Sequence, residues 1–170
     1  MTTTGVPTAE FLPRLDAVIG RLRVYADQAS APGLTSPDPP TGERWEWGQV
    51  WAHLSEFCPY WMGQVRLVLE SPQSEDPMPF GRVKSDPARV AAIEADRGRP
   101  PAELMNMLER HAEDLRSLLG GMSDGDWARR GVHQTLGEMS MPRIIDEFLV
   151  GHLEAHADQL DELTAGAPEP

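Results

Sequence analysis

The stretch 141-MPRIIDEFLVGHLEAHADQLDEL-163 decides how this chain reads. At helical spacing, Ile145, Phe148, Leu149, His152, His156, Leu160 and Leu163 fall along one apolar stripe. Asp146, Glu147, Glu154, Asp158 and Asp161 lie mostly outside it. The stripe predicts a long amphipathic helix that carries two histidines on its buried side. An i, i+4 pair sets both imidazoles on one face, roughly 5–6 Å apart at Cβ, a spacing that suits two ligands of one metal ion. Imidazole is costly to bury without a partner, so an inward pair calls for one.

A third histidine stands in a matching place. In 45-WEWGQVWAHLSEFCPYWMGQVRLVLE-70, Val50, His53, Leu54, Phe57, Trp61, Val65 and Val68 share a stripe, which turns His53 inward on a second helix. Three inward histidines on two helices make a facial three-nitrogen site possible, with further coordination positions open to water or substrate. Open positions separate catalytic from structural zinc sites. At this level two readings stand side by side: metal ligands, or core histidines satisfied by other partners.

The rest of the chain is punctuated as helices, with four long ones and no strands expected. The first runs from Thr8 to Ala29, with Phe11, Leu15, Val18, Leu22 and Tyr25 inward and Pro13 tolerated in its first turn. Proline and glycine mark 30-SAPGLTSPDPPTG-42 as a loop. Helix two ends near Glu70. A third helix opens at Pro101 and is stopped by Gly120 and Gly121. The fourth has Ser140 as N-cap and ends near Thr164. About thirty residues separate helices two and three, far more than antiparallel neighbours need, so a crossover is expected. The predicted fold is an all-α four-helix bundle, up-down-down-up, with short connecting helices. One such helix is 86-DPARVAAIEADRG-98, with Asp86 as N-cap and Gly98 as C-cap. The polar, proline-rich 71-SPQSEDPMPFGR-82 is a candidate lid or rim. We expect a single domain over 1–164 and a flexible tail over 165–170.

Composition narrows the function. With 27 acidic against 15 basic residues the net charge is −12, which argues against nucleic acid or an anionic membrane as partner. The basic charge is nearly all arginine, Lys84 being the one lysine. A lone Cys58 excludes an internal disulfide and is compatible with a reducing compartment. The opening MTTTGVPTAEF has neither a basic nor an apolar leader region, and no apolar run approaches a membrane span. A cytoplasmic protein acting on a small molecule is expected, as a homodimer.

Other chemistry is weighed and set aside. The string 121-GMSDG-125 matches G-x-S-x-G, but a nucleophile elbow needs a strand-to-helix turn; here Ser123 reads as the cap of a short helix, 124-DGDWAR-129, with Asp126 completing a capping box. In 152-HLEAH-156 the acid is Glu154, about 200° around the helix from His152, so this is no H-E-x-x-H protease motif. His111 lines up with Leu104, Leu108, Leu115 and Leu118; fourth ligand, supporting partner and tucked core histidine are all open to it, and we read it as the last. His133 reads as a loop residue within reach of the site mouth. Cys58, about 140° from His53, reads as a small buried apolar group. Trp45, Trp47, Trp51 and Trp61 are core by default, pocket wall as the sharper alternative. Glu56, three residues after His53, is a candidate to support it from behind.

The pattern W-x-x-G-x-V-x-x-H-L at Trp45 to Leu54 resembles the second helix of the DinB-like superfamily of four-helix metalloproteins. The run 127-WARRGVHQTLGEMSMPRIIDEFLVGHLEAHADQL-160 is similar too, including H-x-x-x-H-x-x-Q-L ending at Gln159 and Leu160. The family takes its name from damage-inducible proteins, not from the polymerase that shares it. The resemblance implies a divalent metal (zinc, nickel or iron) held by His53, His152 and His156, with Gln159 beside them. Leu153 departs from the pattern, since many members have Asp there. Members of known activity include mycothiol-dependent maleylpyruvate isomerase and bacillithiol or mycothiol S-transferases, so the resemblance implies a metal-dependent enzyme activating a low-molecular-weight thiol. The competing reading is a non-catalytic dimeric bundle whose metal site is vestigial or incidental.

Overall fold

The computed structural model describes residues 7–72 and 76–166. Part of the proposed rim (73–75) and most of the expected tail (167–170) lie outside the described residues, and Ala165 still belongs to the last helix. The bundle is built from α1 (Pro7–Ala26), α2 (Trp47–Glu70), α4 (Pro101–Gly121) and a two-part fourth helix, α6 (Met141–Phe148) and α7 (Val150–Ala165). Two short helices, α3 (Pro87–Asp96) and α5 (Asp124–Trp127), join them. Local signals set the boundaries. Glu46 and Gln49 form a capping box at the start of α2. The Asp86 side chain accepts from the amides of Ala88 and Arg89 ahead of α3, with Pro87 in the first turn.

Cross-helix contacts give the directions. Thr8 donates to the Leu119 carbonyl (3.2 Å) and Arg23 to Glu109 (2.8 Å), so α1 and α4 are antiparallel. Arg14 meets Glu154 and Arg21 meets Asp158, so α1 and α7 run the same way. Trp45 stacks on His156 and Trp61 on Phe148, so α2 opposes the fourth helix. The order is therefore up-down-down-up, as expected. Both α4 and α7 pack on α1 and on α2, which sets α1 and α2 at opposite corners and obliges residues 27–46 to cross one end of the bundle. Thr35 pins that crossing: its amide donates to the Trp45 carbonyl (2.8 Å) and its hydroxyl accepts from the Trp45 amide (2.9 Å).

The expectation of no strands is corrected. Met78–Phe80 (β1), Arg130–His133 (β2) and Gly137–Ser140 (β3) form a sheet in the order β1-β2-β3, the first pair parallel and the second antiparallel. Strands of three or four residues are too short to show a period-2 pattern, and the β1 partner lies some fifty residues away, as in the pair Phe80↔His133. Pro79 is acceptable because β1 is an edge. The sheet places His133, read from sequence as a loop residue, in a strand and buries it. Gly81 follows with φ +89, and a Cβ there would sit 2.6 Å from the His133 ring.

The fourth helix is not continuous. Leu149, at φ −128 and ψ −87, separates α6 from α7. A Cβ at Gly151 would come 2.5 Å from the Asp146 carbonyl oxygen, so the close approach across the break needs glycine. The shift of register adds Val150, Leu153 and Ala157 to the buried face beside Leu160 and Leu163, and leaves His152 half-buried. Helix α2 is buried on more sides than its stripe requires, Trp51, Ala52, Cys58 and Met62 included, because α3 and α4 cover its remaining faces.

Candidate metal centre

His53, from the second turn of α2, meets His152 and His156, from the first turns of α7, and the three rings offer nitrogens that all lie within 4.8 Å of one another. His152 Nε2 is 3.0 Å from His53 Nε2 and 3.0 Å from His156 Nε2. The back of two rings is fixed. His53 Nδ1 lies 2.7 Å from Glu56 Oε1 and His156 Nδ1 2.6 Å from Gln159 Oε1. Each of these oxygens accepts, so in the neutral ring the proton sits on Nδ1 and the Nε2 lone pair points at the cluster. His152 has at most one Nε2 proton to give, and two lone pairs at hydrogen-bond distance to receive it. Satisfied core histidines would not gather acceptors in this way. Three imidazoles whose Nε2 atoms converge, two of them with the lone pair fixed inward, form a donor set that suits a divalent cation, for which Zn–N bonds of about 2.0–2.1 Å leave neighbouring ligand nitrogens a little over 3 Å apart.

The electrostatics keep these rings in the ligand form. Burial holds His53 and His152 well below the usual histidine range and brings His156 down to about 4. The positive charges of Arg89, Lys84 and Arg82 push in the same direction. Behind His53, burial raises the Glu56 carboxyl above the usual range against the pull of Arg82, which donates to both its oxygens (2.8 and 2.6 Å).

The cluster opens on one side. His53 and His156 are buried, whereas half-buried His152 faces a cavity of about 580 Å³. Trp45, Trp61, Phe148 and His133 give it aromatic walls, and Arg82, Lys84 and Arg89 line it as well. Two ion pairs tie its rim segments together, Lys84 to Asp38 (2.7 Å) and Arg89 to Glu43 (3.4 Å).

The residues singled out from sequence sort cleanly. Glu56 and Gln159 stand behind His53 and His156. His111 is half-buried on α4 and takes no part in the cluster. Cys58 is buried, and burial pushes its thiol up to about 12, the state of an inert apolar filler. Glu154 turns away to Arg14. Ser123 caps α5 in a full capping box with Asp126. Trp45 and Trp61 are cavity wall, and Trp47 and Trp51 are core. Sequence reasoning missed Arg82: one arginine in a proline-rich connection carries no periodic signal, and its partner Glu56 lies 26 positions upstream.

Comparison with known proteins agrees with this architecture. YfiT from Bacillus subtilis, described as a probable metal-dependent hydrolase with an unusual four-helix bundle topology, superposes with a TM-score of 0.71 at 17% identity, over 93% of this chain and 86% of that one. A mutant of the mycothiol-dependent maleylpyruvate isomerase gives 0.66 at 15% identity, over 99% of this chain but 65% of that one. At these identities the likeness is one of fold. No curated protein matches the chain. Residues 10–160 match the DinB superfamily, and by that match, with the bundle and its histidine cluster in place, the chain belongs to the DinB superfamily.

Proposed function

We propose that this protein is a metal-dependent enzyme in which His53, His152 and His156 hold one divalent ion, zinc, nickel or iron, and the adjoining cavity brings a low-molecular-weight thiol of the mycothiol or bacillithiol kind to an electrophile. The reaction class is S-transfer or thiol-assisted isomerisation. The observation that carries the reading is the convergence of three Nε2 atoms at the floor of a cavity, two of them with their ring proton held on Nδ1. Held by the three histidines, a divalent ion would supply positive charge that lowers the pKa of a thiol brought to it. The chain's own residues do the rest. Glu56 and Gln159 hold two rings in orientation and tautomer, Arg82 holds Glu56, and the aromatic walls exclude water and receive an apolar body.

One feature bears on attack by water and one on the source of a thiol. Hydrolysis wants a free general base beside the cluster. Among the described residues Glu56 is engaged by His53 and Arg82, and Glu147 lies exposed among the cavity residues. The one protein thiol, Cys58, is sealed in the core and protonated. Metal analysis of protein made without a histidine tag, paired with a conjugation assay of small thiols against a panel of electrophiles, tests the reading. Stoichiometric metal and turnover abolished by chelator are expected. Metal-free protein whose melting ignores chelator, or turnover that persists without metal, would overturn it.

A further inference from the structure

We infer that Arg82 is the anchor for an anionic group of the substrate, and that the cavity therefore takes a small organic anion, a carboxylate on a flat apolar body. The inference rests on the reading of this cavity as a substrate site. The three cations lining the cavity differ in how they are used. Lys84 is paired with Asp38 through both carboxylate oxygens (2.7 and 2.8 Å), and Arg89 is shared between Glu43 and the Lys84 carbonyl. Arg82 gives only Nη2 to Glu56; among the described residues its Nε and Nη1 have no acceptor. The side chain is 9% exposed, yet neither spare nitrogen is sealed off. A guanidinium so buried, with donors left over and a cavity in front of it, has an anion-binding edge to offer.

The side chain is also held in place before any ligand arrives. The Arg82 guanidinium lies 3.9 Å over the Tyr60 ring, and its carbonyl accepts from His133 Nε2 (3.1 Å). The preceding Gly81 amide donates to Gln64 (2.7 Å). Donors fixed in this way lose little freedom on binding. The same cavity has flat, apolar walls: Trp61 and Phe148 stack at 3.9 Å, and Trp45 stacks on His156. An anionic head with a planar body matches both surfaces.

The probe pair is 4-nitrobenzoate and its neutral isostere 4-nitrobenzamide, titrated into the metal-loaded protein by quenching of tryptophan fluorescence, since Trp45 and Trp61 line the cavity. We expect the benzoate to bind about 10-fold more tightly than the amide, as charge-assisted hydrogen bonds allow. Arg82→Gln should bring the two within about 2-fold, while Lys84→Gln, which removes an already paired cation, should keep the preference. Equal affinity in the wild type, no benzoate binding, or a preference that survives Arg82→Gln and vanishes with chelator would each overturn the assignment, the last because the anion would then sit on the metal. Should Arg82→Gln lose its metal or its fold, the wild-type Arg82 Nε–H resonance decides: it should shift with the benzoate and not with the amide, and a resonance unmoved at saturation refutes the anchor. These readouts are binding alone, so a protein that fails to turn over thiols still answers them.

Discussion

In protein stripped of metal, stability should fall steeply between pH 6.5 and pH 5. The cause is the buried cluster. His156 has a folded-state pKa near 4 against an ordinary value of 6.5, with burial the main reason and the Gln159 hydrogen bond opposing it. Because the folded value is depressed, the unfolded chain binds protons more readily below pH 6.5, and the stability present above that pH is lost on acidification. Taking the two pKa values at pH 5, His156 alone contributes a loss of about 2 kcal/mol relative to pH 8. His53 and His152 are depressed well below 6.5 by burial and by neighbouring charge, so both act in the same direction. A loss of at least about 2 kcal/mol is already a large fraction of the stability of an ordinary domain. Urea denaturation in chelator at pH 8, 6.5, 5.5 and 5 measures it directly. His111 is also depressed by burial, so a His111→Gln background isolates the cluster. An unfolding free energy that changes by less than about 1 kcal/mol from pH 8 to pH 5 in that background would show the three rings to be solvated or otherwise compensated, and the site geometry argued above would fail with it.

Three further outcomes follow from particular contacts. Glu56→Gln keeps an acceptor for His53 but loses the charge that grips Arg82; metal affinity should drop about 10- to 100-fold in competition with a chelating dye, and an unchanged affinity would remove Glu56 from the site. Ser123→Ala deletes the cap of α5 and should cost about 0.5–2 kcal/mol in urea with metal content intact; loss of turnover at full folding would revive the nucleophile reading of 121–125. Gly81→Ala forces a side chain into φ +89 with its Cβ 2.6 Å from His133, so a loss of at least about 1–3 kcal/mol is expected, and wild-type stability would mean the sheet and His133 are placed differently.

The bundle was legible because its information is periodic. Stripes such as Phe11, Leu15, Val18, Leu22 and Val50, His53, Phe57, Trp61 repeat every three or four residues, and a helix must bury the face they define. The length of the chain between α2 and α4 gave the crossover, and contacts such as Thr8 to Leu119 bear out the direction it implied. The sheet escaped for the opposite reason. Phe80 and His133 pair across 53 positions, in strands too brief to hold a pattern, so nothing local announces them. The break at Leu149 escaped as well: its marks are a glycine two residues on and a backbone approach to Asp146 that only the folded helix makes.

The same division runs through the site. Its floor could be read because the histidines lie on helices, where spacing fixes direction: positions 152 and 156 share a face whatever surrounds them, and position 53 follows the apolar side of α2. Glu56 was readable for the same reason, three positions after the ring it orients, whereas Gln159, equally spaced from His156, was singled out through the family resemblance. The cavity above it comes from the crossing loop, the segment after β1 and the strand β2, which the chain brings together only by folding. Arg82 belongs to that second set, and its meaning depends on a pairing with Glu56 and a stacking on Tyr60 that no spacing rule foretells. The candidate metal floor of this chain is therefore written in helical periodicity, whereas the cavity above it rests with loops and a short strand. A change at Arg82 should accordingly alter ligand preference, with any effect on the rings passing only through Glu56 behind His53.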